Sequence, residues 1–311
     1  MASADPLPSS PAPAPAREAQ HPRLLDWQHL TGARIAALDR ARTVVAVSCS
    51  PREVHGPHLP TLADVGESEG LFGRTFDKLV ERHDELTIVR LPPVFVAADV
   101  LPHVGSLRFS PRTVTTVLEE LACARVNARH DARMISAFSL LARRLTGGTS
   151  DLAHKLDGVG GITKEDLKGD QHGGVVETAL LLHLHGEHVD PGYRDLPPRA
   201  GELDLARAGK RPLQRGPKAT LFEILRGLPL RARYYDTDTY SGIPARASAA
   251  LGAEYLELLS GEAAEVLSEV WQGRVPLEEC FSPLWPFRHV LLNDKVGSLF
   301  DRLVGRKRSP V

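Results

Sequence analysis

The feature that most restricts how this chain can fold is a six-residue run, TVVAVS from Thr43 to Ser48, together with what stands directly behind it. An unbroken β-branched apolar run bounded by polar segments fits a buried strand, the habit of parallel sheets covered by helices. Directly after it, SPREVHGPHLPTLADV sets Glu53, His55, His58 and Asp64 around a Gly-Pro pair, all within twelve positions. An ordinary strand end needs none of these groups. A site for a hard or borderline cation needs all of them.

Elsewhere the period of the apolar residues changes from strand to helix and back. Leu71, Phe72, Phe76, Leu79 and Val80 recur near helical spacing and predict a helix over Ser68 to Arg82. LTIVRLPPVFV reads as a second strand, ended by Pro92-Pro93. Ser110-Pro111 opens a helix with Ser as N-cap and Pro at the first helical position, and Val114, Val117, Leu118 and Leu121 line one face of it. Further helices are expected over Val176 to His185 and from about Arg246 to Gln272. The Gly-rich GGTSDLAHKLDGVGGITKEDLKGDQHGG reads as a loop, as does PGYRDLPPRAGELDLARAGKRPLQRGPK. Strands alternating with helices predict an α/β domain with a largely parallel sheet flanked by helices, over residues 23–275. A Pro/Ala-rich disordered tail, 1–22, precedes it, and a C-terminal extension, 276–311, follows.

Several function classes fit poorly. The chain has 311 residues and a formal net charge of −1, so no overall field draws it to nucleic acid or to an anionic membrane. No apolar run approaches the roughly 18 residues of a membrane span. The three cysteines, Cys49, Cys123 and Cys280, are odd in number and form no CxxC pair, which suits a reducing compartment. The first residues lack the apolar core of a secretory signal. A cytoplasmic location is the expectation.

If the chain is still extended at Arg52 to Gly56, Glu53 and His55 share a face, because side chains two apart on a strand point the same way. They leave the end of a buried strand, where open α/β sheets bind ligands. Asp64 follows His55 by nine residues, beyond a Gly-Pro turn that can fold the chain back. A carboxylate, an imidazole and a second carboxylate so placed suit Zn²⁺ or Mn²⁺, and a carboxylate can bridge two ions. A plain salt-bridge cluster around a core histidine is the competing reading of Glu53 and His55 alone.

These segments carry a resemblance. EVHGPHLPTLAD resembles the E-x-HGPHLP-x3-D signature of the creatininase (creatinine amidohydrolase) family. In order along the chain, GSLRFSPRTV, HGGVVETALLL and YSGIPARASAALGAEYL resemble its later motifs, and LLDW sits where the family usually has Leu-Thr-Trp. The resemblance covers about Leu24 to Gly273 and implies a layered α/β metallohydrolase with two divalent ions, homo-oligomeric and often hexameric, that cleaves C–N bonds of small cyclic or formyl amides. It implies metal-ligand roles for Glu53, His55 and Asp64. It implies proton handling near the scissile bond for His172, with Glu177 as its partner. Metal-activated water would attack the carbonyl carbon, and a nearby histidine would protonate the leaving nitrogen.

The family's middle motif, which would supply another histidine ligand, has no recognisable counterpart. In one register VNARHDAR replaces it, with His130, and Asp131 beside it, as ligand. In the other, RMISAFS is the strand and Leu141 stands where the histidine belongs. The first register predicts that His130 reaches the metal pair and that Leu141 is buried in a helix. ARHDAR could equally be an exposed helix face whose charges pair with one another. The histidines of HLHGEH (His183, His185, His188) read as a polar helix end, His58 as shaping its turn, and His103 as a possible neighbour of the pocket. Two readings compete with the amidohydrolase: a degenerate, non-hydrolytic scaffold or binding subunit, and a biosynthetic relative that uses the same activation for ring closure or acyl transfer.

Overall fold

The computed structural model describes residues 21–97, 100, 103, 105–122, 135–137, 140–141, 152–170, 172–199, 239–280, 293 and 295. Its elements are β1 (Leu24–Asp26), α1 (Gly32–Ala36), β2 (Thr43–Ala46), α2 (Ala63–Arg82), β3 (Thr87–Arg90), α3 (Pro111–Ala122), α4 (Leu152–Lys155), α5 (Val175–His185) and α6 (Ala249–Trp271), with short 3-10 turns between them. The strands pair in parallel in the order β1-β3-β2, with Leu24 and Val44 both opposite Ile88. Parallel neighbours need a crossover, and α2 supplies it between β2 and β3. The fold is the expected mixed α/β arrangement, a parallel sheet flanked by helices.

The buried centre of this sheet is β3, not β2. Ile88 and Val89 are fully enclosed, whereas Val45 is 54% exposed and its neighbours in β2 are half-buried. The β-branched run does form a strand, but α2 covers only one of its faces. Phe76, Leu79 and Val80 of α2 pack on Leu24, Leu86 and Ile88, and Leu267 and Trp271 of α6 close that layer. The Arg23 guanidinium donates to the carbonyls of Val80 (2.7 Å), His83 (2.5 Å) and Leu86 (3.2 Å), satisfying acceptors at and beyond the end of α2.

Most expected elements form, with shifted ends. The strand at 87 stops at Arg90, and Val94 rejoins Cys49 in one parallel bridge beyond the two prolines. The Ser110 hydroxyl accepts from the Thr113 amide at 3.1 Å, the anticipated N-cap. Helix α2 begins at Ala63, five residues before the expected start, which puts Asp64 in its first turn. The Gly-rich segment before His172 is more than a loop. It contains α4, and Leu156, Ile162 and Leu167 enter the core with Val175, Ala179, Leu181, Leu251 and Tyr255. Left-handed backbone at Gly158 (φ 83°) and Gly160 (φ 55°) reverses the chain, so that Leu156 and Ile162 can both point inward. Residues 1–20, most of the 276–311 extension, and His130 and Asp131 lie outside the described residues. Leu141 is helical and half-buried, against Leu140, Val266, Val275 and Cys280.

Three helices, α2, α5 and α6, form the scaffold on which the functional residues sit. At the α5–α6 crossing the backbones almost touch: a methyl added at Gly252 would lie 1.9 Å from the Ala179 carbonyl oxygen. Between α2 and α6, Glu257 takes an ion pair from Arg74 and another from Lys78 at 2.9 Å. Arg74 first, then Lys78, hold the Glu257 carboxyl down to about 2, with its small burial opposing.

Two outcomes follow from this packing. Gly252→Ala lowers the melting temperature by the equivalent of about 1–3 kcal/mol, although alanine is the better helix former by about 1 kcal/mol. Gly261→Ala in the same helix, whose methyl would meet only Lys78 Nζ at 3.7 Å, raises it. Thermal melts in which both variants shift the same way refute the close crossing. For Glu257 the folded pKa lies below the unfolded one. Its contribution is therefore complete above the unfolded value of 4.5 and is lost as pH falls towards about 2. Glu257→Gln destabilises at neutral pH, modestly because the pair is half-exposed, and the gap to wild type closes in acid. A gap that widens on acidification contradicts the assignment.

Candidate metal centre

Beyond β2 the chain dives inward. Ser48, Ser50, Glu53, His55 and His58 are all buried. The segment is held by an antiparallel bridge from Arg52 to Leu107 and by the Val54 amide donating to Ser106 Oγ at 3.1 Å. Gly56 turns the chain at φ 70°, where any side chain would strike the His58 ring. His58 shapes this turn: its Nε2 lies 2.8 Å from the Thr178 hydroxyl of α5, and its carbonyl accepts from the Asp190 amide. Burial first, then repulsion from His55, pushes the His58 imidazole down to about 4.

Three further segments converge on His55. From the first turn of α2, Asp64 Oδ1 comes within 3.3 Å of His55 Nε2. From the first turn of α5, Glu177 Oε2 reaches within 3.8 Å of the same nitrogen and accepts from the Gly173 amide at 2.5 Å. The His172 ring stacks on the His55 ring, centroids 3.8 Å apart. That stack requires Gly173, at φ 60°, because a side chain there would sit 2.9 Å from Tyr240 Cβ and 3.3 Å from the His55 backbone. Asp170 fixes the loop from below. Its carboxylate accepts from the Val175 (2.5 Å) and Val176 (3.1 Å) amides, capping α5, and is also hydrogen-bonded to the backbone of Ile243. Gly174 and Gly242 leave room for it; a methyl at either would fall about 2 Å from its oxygen (1.9 and 2.0 Å).

The electrostatics follow from burial and neighbours. Burial disfavours a charged His55, yet the hydrogen bond to Asp64 and the fields of Glu177 and Asp64 lift it to about 9. Burial, then repulsion from His55, holds His172 down to about 4. Burial raises Glu177 to about 7, against the pull of His55, and Asp170 to about 6.

Both imidazoles are oriented by backbone carbonyls, which can only accept. His55 Nδ1 donates to Glu53 O at 3.1 Å, and His172 Nε2 donates to Val54 O at 3.0 Å. The other nitrogens, His55 Nε2 and His172 Nδ1, therefore face the carboxylates, an orientation shared by metal-binding histidines. One donor atom each from Glu53, His55 and His172 lies within 4.8 Å of the others. Two nitrogens and a carboxylate suit a divalent transition metal. Two buried carboxylate oxygens close by, Asp64 Oδ2 and Glu67 Oε1, have no hydrogen-bond partner. The residues present fit a cation.

The structure thus brings together Glu53, His55, Asp64, His172 and Glu177. His172 joins the potential ligand group, and Asp64 approaches His55 from the side. His103 is half-buried in a turn, its carbonyl accepting from the Ser106 amide. His183, His185 and His188 stay at the end of α5; His185 fills the space left by Gly66 of α2. Glu67 and Asp170 were not singled out by the sequence. Glu67 stands three residues beyond Asp64, a visible signal only if the helix is known to start at Ala63.

Parallel strands that end in a buried imidazole–carboxylate cluster are the layout of an α/β protein built around a cation. The family model described as creatininase, creatinine amidohydrolase, matches residues 28–267, and the chain belongs to that family. Among solved structures, a mutant creatininase is 19% identical over 79% of this chain and 98% of its own, with a TM-score of 0.50. One described as "Creatininase Mn" is 16% identical over the same shares, also at 0.50. A putative creatinine amidohydrolase from Bacteroides fragilis NCTC 9343 is 17% identical over 80% and 96%, at 0.49. The first two likenesses concern the fold. Nothing among curated proteins matches the sequence.

The capping role of Asp170 has a measurable consequence. Asp170→Ala removes the acceptor of the first α5 amides and costs about 1–2 kcal/mol of stability. It also loosens the His172 loop, so divalent-ion binding weakens with it. A variant that melts and binds ions as wild type does rules this out.

Proposed function

We propose that this chain is a metal-dependent amidohydrolase that hydrolyses a C–N amide bond of a small cyclic or formyl amide. The observation that carries the reading is the Glu53–His55–His172 group, two members buried and the third half-buried, whose imidazoles are already turned by backbone carbonyls towards the carboxylates. Family membership supports the reaction class. The manganese named for one similar structure, together with the mixed nitrogen–oxygen donor set, supports Mn²⁺ or Zn²⁺.

A divalent ion held there would supply Lewis acidity, acidifying a water and polarising an amide carbonyl. The chain's own residues do the rest. Glu53, His55 and His172 hold the ion, and Asp64 holds His55. His172 Nδ1 turns towards Glu53 Oε1, 3.9 Å away, which suits a ligand better than a proton carrier. The proton task then falls to Glu177, whose Oε2 stands 3.8 Å from His55 Nε2 at the edge of the group, placed to take a proton and return it to the leaving nitrogen. The Gly173 amide orients it. A closed homo-oligomer belongs to the same reading; the exposed Trp27, Val45, Phe95 and Leu107 offer apolar surface for it. No helix among the described residues is long and apolar enough to cross a membrane.

Metal analysis and an amide panel test this reading together. Protein purified without chelator carries divalent metal, hydrolyses at least one small cyclic or formyl amide, and loses that activity when stripped. Glu177→Gln keeps its metal and loses about 10²–10⁴-fold in kcat/KM, whereas Glu53→Gln loses metal. Hydrolysis that survives complete stripping, or a chain that takes up no divalent ion, sinks the proposal.

A further inference from the structure

The loop that carries His172 has little rigidity of its own. Gly173 and Gly174 follow the histidine, Gly173 at φ 60°, and glycine leaves the backbone freer than any other residue. The ring has its bond to the Val54 carbonyl, but a ring is placed only as well as the backbone beneath it. That backbone lies along one short segment, residues 240–243, which meets the loop at four residues. The Ser241 amide donates to the His172 carbonyl at 2.6 Å, in an antiparallel bridge. The Ser241 hydroxyl donates to the Gly169 carbonyl, also at 2.6 Å. Ile243 is hydrogen-bonded through its backbone to Asp170, and Tyr240 Cβ closes on Gly173. A methyl on Gly56 would lie 3.1 Å from that same carbon, so Tyr240 is wedged between the turns that follow His55 and His172. The segment is itself anchored. Arg199 and Gly242 exchange two backbone hydrogen bonds, at 2.8 and 2.6 Å, and the Tyr240 hydroxyl donates to the Pro197 carbonyl at 2.9 Å. Ser241 is 2% exposed, so water does not compete for its hydroxyl.

We propose that Ser241 is a positioning residue for the centre: it fixes the loop backbone on both sides of Asp170 and so sets where His172 Nδ1 stands relative to Glu53 and His55. The inference rests on the reading of Glu53, His55 and His172 as ligands of one ion. Ser241 touches neither ion nor substrate; it acts through the Gly169 and His172 carbonyls. Its amide bond survives any side-chain change, so the hydroxyl is the part that a substitution can remove. Without it the Gly169 carbonyl loses that donor and the loop can shift. The ligand atoms are then no longer held ready, and an ion must order them as it binds.

Mn²⁺ titration of the stripped full-length chain, followed by the paramagnetic signal of free Mn²⁺, is read beside thermal melts of the metal-free proteins. Two variants are compared with wild type. Ser241→Ala removes one buried hydroxyl, and Leu79→Ala opens the layer between α2 and the sheet, roughly 22 Å along α2 from Asp64. Ser241→Ala is expected to bind Mn²⁺ about tenfold more weakly. Its melting temperature nevertheless stays closer to wild type than that of Leu79→Ala, which keeps wild-type affinity. With Co²⁺ in place of Mn²⁺, the visible bands change in Ser241→Ala and not in Leu79→Ala, because only the first alters how the ion is held. Equal Mn²⁺ affinity in Ser241→Ala and wild type overturns the inference and leaves the proposed function standing. An affinity that falls as far in Leu79→Ala does the same, since the loss would then follow stability alone. A Ser241→Ala chain that does not fold makes Ser241 a structural group and also overturns it. No ion bound by wild type removes the proposed function, and this inference with it.

Discussion

One buried imidazole joins the functional part of this molecule. His55 is 1% exposed, and an ion so enclosed would be costly on its own. It is sustained by what converges on it: the Glu53 carbonyl at Nδ1, Asp64 and Glu177 at Nε2, and the His172 ring across its face. Each comes from a different segment: the strand exit, the first turn of α2, the first turn of α5 and the loop before α5. Removing His55 would leave two half-buried carboxylates without their base, so the fold and the site share this residue.

The helices are held close enough for that convergence by missing side chains rather than by large ones. Gly252 lets α6 meet the Ala179 carbonyl, Gly66 and Gly70 admit His185 and Leu184 against α2, and Gly173 lets the His172 loop touch the His55 backbone. Each is a place where a methyl would push two elements apart and, with them, the carboxylates and imidazoles they carry. The precision of the centre is therefore a property of helix packing.

The charge pattern gives the centre its character. Asp64, Glu67, Glu177 and Asp170 gather around His55, and backbone amides reach Asp170 and one oxygen of Glu177. A cation bound there would relieve repulsion between groups whose desolvation has already occurred on folding. Burial first, against the pull of His55, raises the Glu177 carboxyl to about 7.

Much of this was legible in the chain itself. The donor types and spacing of Glu53, His55 and Asp64 follow from residue identity and the strand period, whereas His172 and Glu177 entered through the resemblance to the creatininase family. Helices α5 and α6 and the parallel α/β plan also follow from sequence. The sequence could not say that β3 rather than β2 is the enclosed strand, since enclosure depends on which faces the helices cover. Nor could it show that Gly-rich turns send Leu156 and Ile162 into the core. Glu67 stood just before the expected helix, and Asp170 lay in a segment read as a loop. Their burial exists only once α2 and α5 are packed together. What tertiary structure alone decided is which donors meet: His172 reaches Val54 across 118 positions, and no local rule specifies a contact whose geometry is set by three helices closing on one another.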